Sequence, residues 1–333
     1  MSNAKQILAM LKSRSEGDDE LFYSIALQVA AAEARQGHRT MADDMRAEVD
    51  KARGSRRRAG VDPIAIGAPR GELEGLLEFR QPHLKLKDVV LDQAIVKIMA
   101  DVVRQQRKRD WLREHGKKPS RRLLFVGPPG SGKTMSAEAT AGELGLPLFV
   151  IRLEQLISRY MGDTAAKLRL VFEQSCKHRG VYLFDEFDAL GAHRTAVNDV
   201  AEMRRVLNSF LQFMEEDAPT DSLVICATNH PGLLDRALLR RYDQVLEFRP
   251  ATAEEIKEIL QRNLRPIKGS RLAWTKIVKA AIDLSQAELV RAADDAVKTA
   301  ILDERNSITT EDLMTRIDER HRMRLAFLEA PKP

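Results

Sequence analysis

The sequence is poor in cysteine and contains no long apolar run. Cys176 and Cys226 are its only cysteines among 333 residues, and neither lies in a CxxC pair or beside histidines at zinc-ligand spacing. A disulfide framework and a zinc site of that type are therefore not expected. No apolar stretch approaches the roughly 20 residues that span a bilayer, and the first residues lack the apolar core of a signal peptide. These absences predict a cytoplasmic protein with reduced thiols and no membrane partner.

The charge of the chain is modestly positive and clustered. Lys and Arg total 54 against 49 Asp and Glu, which gives a formal net charge of +5. The basic residues are concentrated at residues 56–58 and between residues 104 and 122. A solvated helix face and a basic linker explain this pattern. Binding of nucleic acid or of an acidic partner is the less favoured alternative.

Apolar periodicity near the N-terminus predicts a helical hairpin over residues 1–53. Two stripes with four-residue spacing flank Gly37, and they contain Leu21, Ile25, Val29, Met41, Met45 and Val49. A hairpin of this size buries little core by itself, so it is expected to pack against something. It is either a packing or oligomerisation element or a module that recruits a partner. Residues 54–83 follow, with frequent Gly and Pro and no sustained period, and they are predicted to be a linker.

Residues 84–249 alternate short apolar runs with helical stretches. The runs are Leu123 to Val126, Leu148 to Ile151, Val181 to Phe184, Leu223 to Ala227 and Val245 to Phe248. Because several are continuously apolar rather than alternating, they predict strands of a parallel sheet covered by helices on both faces. Residues 250–333 look wholly helical and are predicted to form a small subdomain and a tail. The expected fold class is α/β.

The strongest single signal is GPPGSGKT, residues 127–134, which follows the first predicted strand of this sheet. It matches the phosphate-binding loop (P-loop) pattern GxxxxGK[ST] in its strand, loop and helix context. Glycines there let backbone N–H groups face phosphate oxygens, and the next helix offers its positive N-terminal end. Lys133 is expected to reach the β- and γ-phosphates, and Thr134 to hold Mg²⁺. The predicted nucleotide contacts are Gly127, Pro128, Pro129, Gly130, Ser131, Gly132, Lys133, Thr134 and Met135.

Polar residues end two further strands. VYLFDEFD places Asp185 and Glu186 after a buried strand, and CATNHPG places Asn229 after the next one. The C-terminal ends of parallel strands share one edge, so these groups are expected in the ligand crevice. Asp185 is predicted to bind Mg²⁺, Glu186 to accept a proton from the attacking water, and Asn229 to contact the γ-phosphate and orient water. Asp188 is predicted to support the next turn.

Together these motifs resemble the AAA ATPases of the AAA+ superfamily over about residues 84–325. The resemblance rests on GPPGSGKT, LFDEFD, ATN at the position called sensor 1, and LLDRALLRRYD. It implies ATP as substrate, Mg²⁺ as cofactor, and a P-loop NTPase sheet sandwich with a helical lid. It also implies a homo-oligomeric ring, expected to be a hexamer.

LLDRALLRRYD, residues 233–243, is similar to the family segment whose arginines complete the neighbouring subunit's active site. The commoner form separates two arginines by a short Pro-Gly insert, whereas Arg240 and Arg241 are adjacent here. The resemblance implies that both act in trans as arginine fingers, and it leaves open which one reaches the γ-phosphate. The later segment DLSQAELVRAADDA resembles the family's GxSGADL. Gln286 replaces its second glycine, and Ala287 stands where many AAA+ relatives carry a sensor-2 arginine.

ISRYMGDT, residues 157–164, occupies the position of the first pore loop of AAA protein remodellers. Tyr160 and Met161 before Gly162 match that loop's pattern of an aromatic and an apolar residue before glycine. An aromatic face and a flexible thioether hold many side chains weakly, which suits pulling on polypeptide. Burial of Tyr160 in the core is the alternative. Residues 191–199 are a weaker candidate for a second pore loop, and a polar surface loop explains them as well.

A closer resemblance is to small bacterial AAA ATPases encoded beside a subtilisin-like serine protease, in toxin–antitoxin, anti-plasmid or anti-phage modules. It rests on GVYLFDEFDALG, RRVLNSFLQ and RALLRRYD. The chain has no GxSxG or HExxH motif, so any proteolysis would belong to a partner. The predicted function is remodelling or threading of a protein substrate, driven by Mg-ATP hydrolysis. The rivals are a DNA-associated motor or loader and a scaffold that regulates a partner by assembly alone.

Overall fold

The computed structural model describes residues 29, 30, 41, 71–156, 161–188, 197–216, 219–230, 232, 239–265, 268–269 and 272–329. The chain divides into two compact units, Met1–Ala68 and Pro69–Pro333. In the first unit, Val29 and Ala30 are helical and buried, and Met41 is helical and exposed. The rest of the predicted hairpin, and the basic residues 56–58, lie outside the described residues.

Six strands of the second unit form one sheet. They are β1 Leu77–Arg80, β2 Arg122–Val126, β3 Leu148–Ile151, β4 Val181–Phe184, β5 Leu223–Thr228 and β6 Gln244–Glu247. Their order across the sheet is β1-β3-β4-β5-β2-β6. Strands β2 to β6 run parallel, and β1 is antiparallel to β3 at one edge. The α/β fold with a mostly parallel sheet, predicted from the sequence, is confirmed.

Both faces of this sheet are covered. One face carries Leu124, Phe149, Tyr182, Phe184, Val224 and Cys226, and the other carries Leu123, Phe125, Leu148, Val150, Val181, Leu183, Leu223 and Ile225. The helices Met161–Lys177 and Val197–Glu215 pack on the first face, and Gln93–Arg107 and Lys133–Leu144 pack on the second. Because successive strand residues point to opposite faces, burial of both faces requires continuous apolar runs.

Shorter helical elements complete this α/β region. They are the helices Glu72–Leu76, Arg109–Glu114 and Leu153–Leu156 and the 3-10 turn Leu86–Asp88. The carboxylate of Asp92 begins the helix Gln93–Arg107 by accepting the Ala94 N–H at 2.7 Å. Across the described ranges, no helix combines the length and apolarity needed to cross a membrane.

Residues 72–80 lie inside the predicted linker of residues 54–83 but form part of the sheet region. The short helix Glu72–Leu76 leads into β1, which pairs with β3 and places Phe79 opposite Phe149. The two rings meet edge to face with centroids 5.7 Å apart. The strand alternates apolar Leu77 and Phe79 with charged Glu78 and Arg80, which is the pattern of a half-buried strand, but it has only four residues and stands beside a stretch rich in Gly and Pro. Pairing with β3 forms it, and the α/β region therefore begins before residue 84.

The C-terminal part is a lid subdomain with its own core. Its helices are Ala253–Asn263, Trp274–Ala281, Gln286–Leu302 and Thr310–Glu329. Their apolar sides bury a cluster that includes Ile256, Leu260, Ile277, Leu289, Ala293, Leu313 and Ile317. The expectation of a wholly helical region is wrong in one detail, because Lys268–Gly269 pairs in parallel with Ser307–Ile308. Strands of two residues are too short to leave a periodic pattern.

Candidate active site

The loop between β2 and the helix Lys133–Leu144 has the backbone shape of a phosphate cradle. Gly130 and Gly132 have φ angles of 73° and 93°, in the left-handed region that favours glycine. A Cβ on Gly130 would also lie 2.9 Å from Ser285 Oγ, and one on Gly132 would lie 3.0 Å from Gln286 Oε1. Both positions therefore require glycine. The loop leads straight into the N-terminus of the helix, whose free N–H groups and dipole attract anions.

Lys133 is held by three oxygens at the base of this loop. Its Nζ donates to the carbonyls of Gly127 and Pro128 and to Oδ1 of Asn229, each at 2.8 Å. The residue is only 6% exposed. Burial lowers the pKa of the Lys133 ammonium, and two nearby carboxylates oppose that shift. All three donors of the ammonium go to neutral oxygens of the described residues, so a phosphate that replaces one of these oxygens would give Lys133 a stronger, charge-assisted contact.

The amide of Asn229 is oriented by its neighbours. Because a lysine ammonium only donates, Oδ1 of Asn229 accepts from Lys133 and the NH2 group remains to donate. Oδ1 of Asp188 accepts the Asn229 N–H at 3.2 Å and the Thr228 hydroxyl at 3.1 Å. The support that Asp188 gives therefore goes to the end of the neighbouring strand β5, which carries Asn229.

Thr134 and Asp185 meet in the same place, although they follow different strands. The Thr134 hydroxyl donates to Oδ2 of Asp185 at 2.6 Å. A hydroxyl and a carboxylate at this spacing can both ligate one hard cation. In the part of the chain that the structure describes, no group of three or more His, Cys, Asp and Glu side chains is placed to hold a metal.

Glu186 stands out by its backbone. Its φ is 50°, and its N–H donates to Oδ1 of Asp185 at 3.0 Å. A side chain other than glycine in this region costs about 1–3 kcal/mol. The residue is exposed and lines the same cleft as Thr134 and Asp185. The residue with the strained backbone is therefore one whose carboxylate faces the cleft and is not packed in the core.

These groups line one cleft between the sheet and the lid. Its volume is about 840 Å³, within the range of small-molecule sites. Met135, one of the predicted nucleotide contacts, also lines it. The walls contributed by Leu84 to Val90 and by the lid helix Ala253–Asn263 were not predicted. Those walls come from segments far apart in the chain, so no local motif marks them. Arg262 joins the two, because its guanidinium donates to the Lys87 carbonyl at 2.7 Å.

The lid contacts the P-loop directly. The Ala287 N–H donates to the Gly130 carbonyl at 3.1 Å, and Gln286 and Ala287 both line the cleft. Ala287 carries no charge to replace the sensor-2 arginine of many AAA+ proteins. The contact at this position is made by the backbone.

Arg240 and Arg241 lie at the end of the sheet where the parallel strands begin, whereas the cleft lies at the end where those strands finish. They precede β6, whose register with β2 places Glu247 beside Val126, the residue before the P-loop. The four residues of β6 span about 13 Å, so both arginines are at least that far along the sheet from the cleft. Arg240 is exposed, and Arg241 forms an ion pair with Glu215 at 2.7 Å. The structure does not bring the two arginines into their own subunit's cleft.

The predicted pore loop falls largely outside the described residues. Tyr160 is outside them. Residues 191–196 of the second candidate loop and residues 233–238 before the two arginines are also outside the described residues. The backbone of Met161 and Gly162 begins the helix Met161–Lys177. In the described residues, that helix comes after β3 and the short helix Leu153–Leu156, and the P-loop comes after the parallel strand β2.

Four arginines of the basic cluster between residues 104 and 122 pair with acidic residues. The pairs are Arg104 with Asp101 at 2.5 Å, Arg107 with Glu143 at 2.9 Å, Arg113 with Asp221 at 2.8 Å and Arg122 with Asp243 at 2.7 Å. At these four arginines the positive charge is offset by a carboxylate, which favours a solvated helix face over a nucleic-acid surface.

Comparison with known proteins identifies several relatives. A family model described as "ATPase family associated with various cellular activities (AAA)" matches residues 123–250. The chain is similar to the "Uncharacterized AAA family ATPase y4kL" of Sinorhizobium fredii, with 35% identity over 313 residues that cover 93% of each chain.

The chain is also similar to proteins named "ATP-dependent zinc metalloprotease FtsH". The identity is 33% over 241 residues for that of Lancefieldella parvula and 32% over 272 residues for that of Acidothermus cellulolyticus. These alignments cover 71% and 78% of this chain but 37% and 40% of the FtsH chains. The chain therefore spans about two fifths of the length of these relatives.

Proposed function

Because this chain belongs to the AAA family and is an ATPase, we propose that it hydrolyses Mg-ATP in the cleft described above and uses the energy to remodel or thread a protein substrate. The observation that carries the proposal is the convergence of Lys133, Thr134, Asp185 and Asn229 at one edge of the sheet. An ammonium, a hydroxyl, a carboxylate and an amide there provide the contacts that a metal-bound triphosphate requires.

The residues of the cleft divide the work of hydrolysis. Lys133 binds the β- and γ-phosphates as a positive point charge. Thr134 and Asp185 hold Mg²⁺, which when bound supplies positive charge that offsets the charge of the phosphates. Asn229 donates its NH2 group to the γ-phosphate or to the attacking water.

Glu186 is the general base in this proposal. Its exposed carboxylate lies next to the metal ligand Asp185 and faces the cleft, where a water in line with the γ-phosphate would stand. The water gives its proton to Glu186 as its oxygen bonds to the γ-phosphorus, and the bond from that phosphorus to the β–γ bridging oxygen breaks, so that ADP leaves. In this division of roles the Asp185 carboxylate, which accepts the Thr134 hydroxyl, serves the metal, and the exposed Glu186 carboxylate serves the water.

The site is completed by a second subunit. Arg240 and Arg241 lie at the opposite edge of their own sheet, and they reach a γ-phosphate only if that edge faces the cleft of a neighbour. Such a contact joins two different surfaces, and repeated it closes a ring. The family resemblance suggests six subunits. Because the ion pair between Arg241 and Glu215 is partly exposed and is worth about 1 kcal/mol or less, Arg241 can exchange Glu215 for a phosphate.

Two points support a protein substrate. Tyr160, Met161 and Gly162 match the sequence pattern of a substrate-gripping loop, and they come between β3 and β4 in the chain. The FtsH relatives are by name ATP-dependent proteases, which couple ATP to work on proteins. This chain has no HExxH motif, so a partner would cut the polypeptide. A subtilisin-like serine protease of a toxin–antitoxin or anti-phage module is the partner that the resemblance suggests.

Trapping the substrate tests this proposal. The Glu186→Gln variant keeps the shape of the side chain but removes the carboxylate that acts as the base. It is therefore expected to bind ATP and hold its substrate. Affinity capture in ATP, compared with capture in ADP, identifies what is held. A polypeptide enriched in ATP supports remodelling. Enrichment of DNA in its place supports the motor or loader instead.

A further inference from the structure

We propose that the carboxamide of Gln286 is a nucleotide-binding group that donates a hydrogen bond to the phosphate chain held by the P-loop. The inference rests on the proposed nucleotide cleft and adds to it a residue from the lid. Gln286 replaces the second glycine of the GxSGADL segment, and a glycine has no side chain to which the family pattern could give this role.

The position of the side chain is the first argument. Oε1 of Gln286 lies 3.0 Å from the point that a Cβ on Gly132 would occupy. Gly132 is the residue before Lys133, in the part of the loop that surrounds the phosphates. Gln286 lines the same cleft as Lys133 and Thr134. The carboxamide is therefore beside the phosphate cradle and not at a distant wall.

The lack of a protein partner is the second argument. Gln286 is 8% exposed, yet its carboxamide has no hydrogen-bond partner among the residues that the structure describes. A primary amide brings two donors and an acceptor, and the polar atoms of Gln286 are not among the fully buried unpaired side-chain atoms of the described residues, so they keep contact with solvent. Because the side chain borders the cleft, a ligand in the cleft is the natural partner. Phosphate oxygens accept hydrogen bonds, so the NH2 group is the part that would engage them.

Backbone contacts on both sides of Gln286 hold it beside the P-loop. Ser285 caps the helix Gln286–Leu302 in a capping box with Glu288, and the Ala287 N–H donates to the Gly130 carbonyl at 3.1 Å. The residues on both sides of Gln286 also crowd Gly130, since a Cβ there would lie 2.9 Å from Ser285 Oγ and 3.3 Å from Ala287 Cβ. The start of the helix is thus seated on the P-loop. Gln286 belongs to a lid helix, so a hydrogen bond from its side chain to nucleotide would connect the lid to the bound nucleotide.

Nucleotide affinity of the full-length Gln286→Leu variant tests the proposal. Leucine keeps most of the volume and removes both donors, so ADP is expected to bind about tenfold more weakly, as for a lost hydrogen bond to a charged group. Adenosine has no phosphates, so its affinity, measured by competition with a fluorescent ADP analogue, is expected to stay within twofold. Gln286→Glu places a negative charge beside the phosphates and is expected to weaken ADP binding further than leucine does.

Controls separate this inference from the site beneath it. Asp294→Asn alters an exposed residue of the same helix and is expected to bind ADP as the unmodified chain does. Lys133→Ala is expected to lose ADP binding. If Lys133→Ala loses ADP while Gln286→Leu stays within twofold, the inference is wrong and the cleft stands. An equal loss of adenosine and ADP in Gln286→Leu indicates packing alone and also overturns it. If leucine unfolds the lid, Gln286→Met gives the same comparison with a more adaptable side chain.

Discussion

The Thr134 hydroxyl donates a 2.6 Å hydrogen bond to the Asp185 carboxylate across 51 positions of sequence. Thr134 follows β2, and Asp185 follows β4, which is separated from β2 by β5 in the sheet. The contact therefore depends on the sheet order and on the parallel direction of all three strands. It brings together the two residues that the sequence motifs predict as Mg²⁺ ligands.

The first prediction concerns coupling between these two residues. Thr134→Ala and Asp185→Asn should each raise the Mg²⁺ concentration needed for half-maximal ATP hydrolysis, because each removes a ligand. Their combined effect should differ from the sum of the single effects by about 0.5–3 kcal/mol, since they serve one ion. Asp294→Asn is the exposed control. Strict additivity, or activity that persists in excess EDTA, would contradict a shared metal site.

Removal of the Lys133 ammonium tests the phosphate site. Lys133→Ala should weaken ATP and ADP binding about 100-fold or more, because a charge-assisted contact to phosphate is lost from a buried position. Binding of a fluorescent ADP analogue measures this. Lys257→Ala changes an exposed lysine of the lid and should bind normally. Unchanged affinity in Lys133→Ala would remove the P-loop assignment.

Glu186→Gln separates binding from chemistry. The amide cannot accept the proton of the attacking water, so turnover should fall about 10²–10⁴-fold. ATP affinity should stay within about twofold, because Glu186 does not contact the phosphates in this proposal. Rapid-quench measurement of one turnover, beside equilibrium binding, distinguishes the two effects. Normal turnover would show that another group is the base, and Glu254→Gln, an exposed lid variant, serves as control.

Mixed rings test catalysis across the subunit interface. Arg241→Ala subunits have an intact cleft but lack a finger, while Glu186→Gln subunits supply the finger but lack the base. Each alone should be slow, since an arginine finger is worth about 10³–10⁵ in rate. Mixtures should recover activity with a maximum at intermediate ratios. No recovery at any ratio would count against action in trans, and the same series with Arg240→Ala shows which arginine matters more.

The P-loop, the strand-end acids and the buried strands of the sheet could be predicted because each has a local signature of spacing and apolarity. The strand Leu77–Arg80 has the apolar–charged alternation of an edge strand, but four residues beside a Gly- and Pro-rich stretch are a weak signal, and pairing with β3 defines it. The same limit applies to Asp188, which acts on a neighbouring strand. Gln286 is visible in the sequence only as a departure from a family pattern, and its contact with the P-loop comes from lid packing.

The claim that ATP drives work on polypeptide is tested most directly by the response of the ATPase rate to candidate substrates. The account predicts that an unstructured protein such as casein stimulates hydrolysis, and that duplex or single-stranded DNA does not. It also predicts that Tyr160→Ala keeps the basal rate and loses the stimulation by casein, because only the grip is removed. Stimulation by DNA that falls with salt, or full stimulation by casein in Tyr160→Ala, would contradict the account.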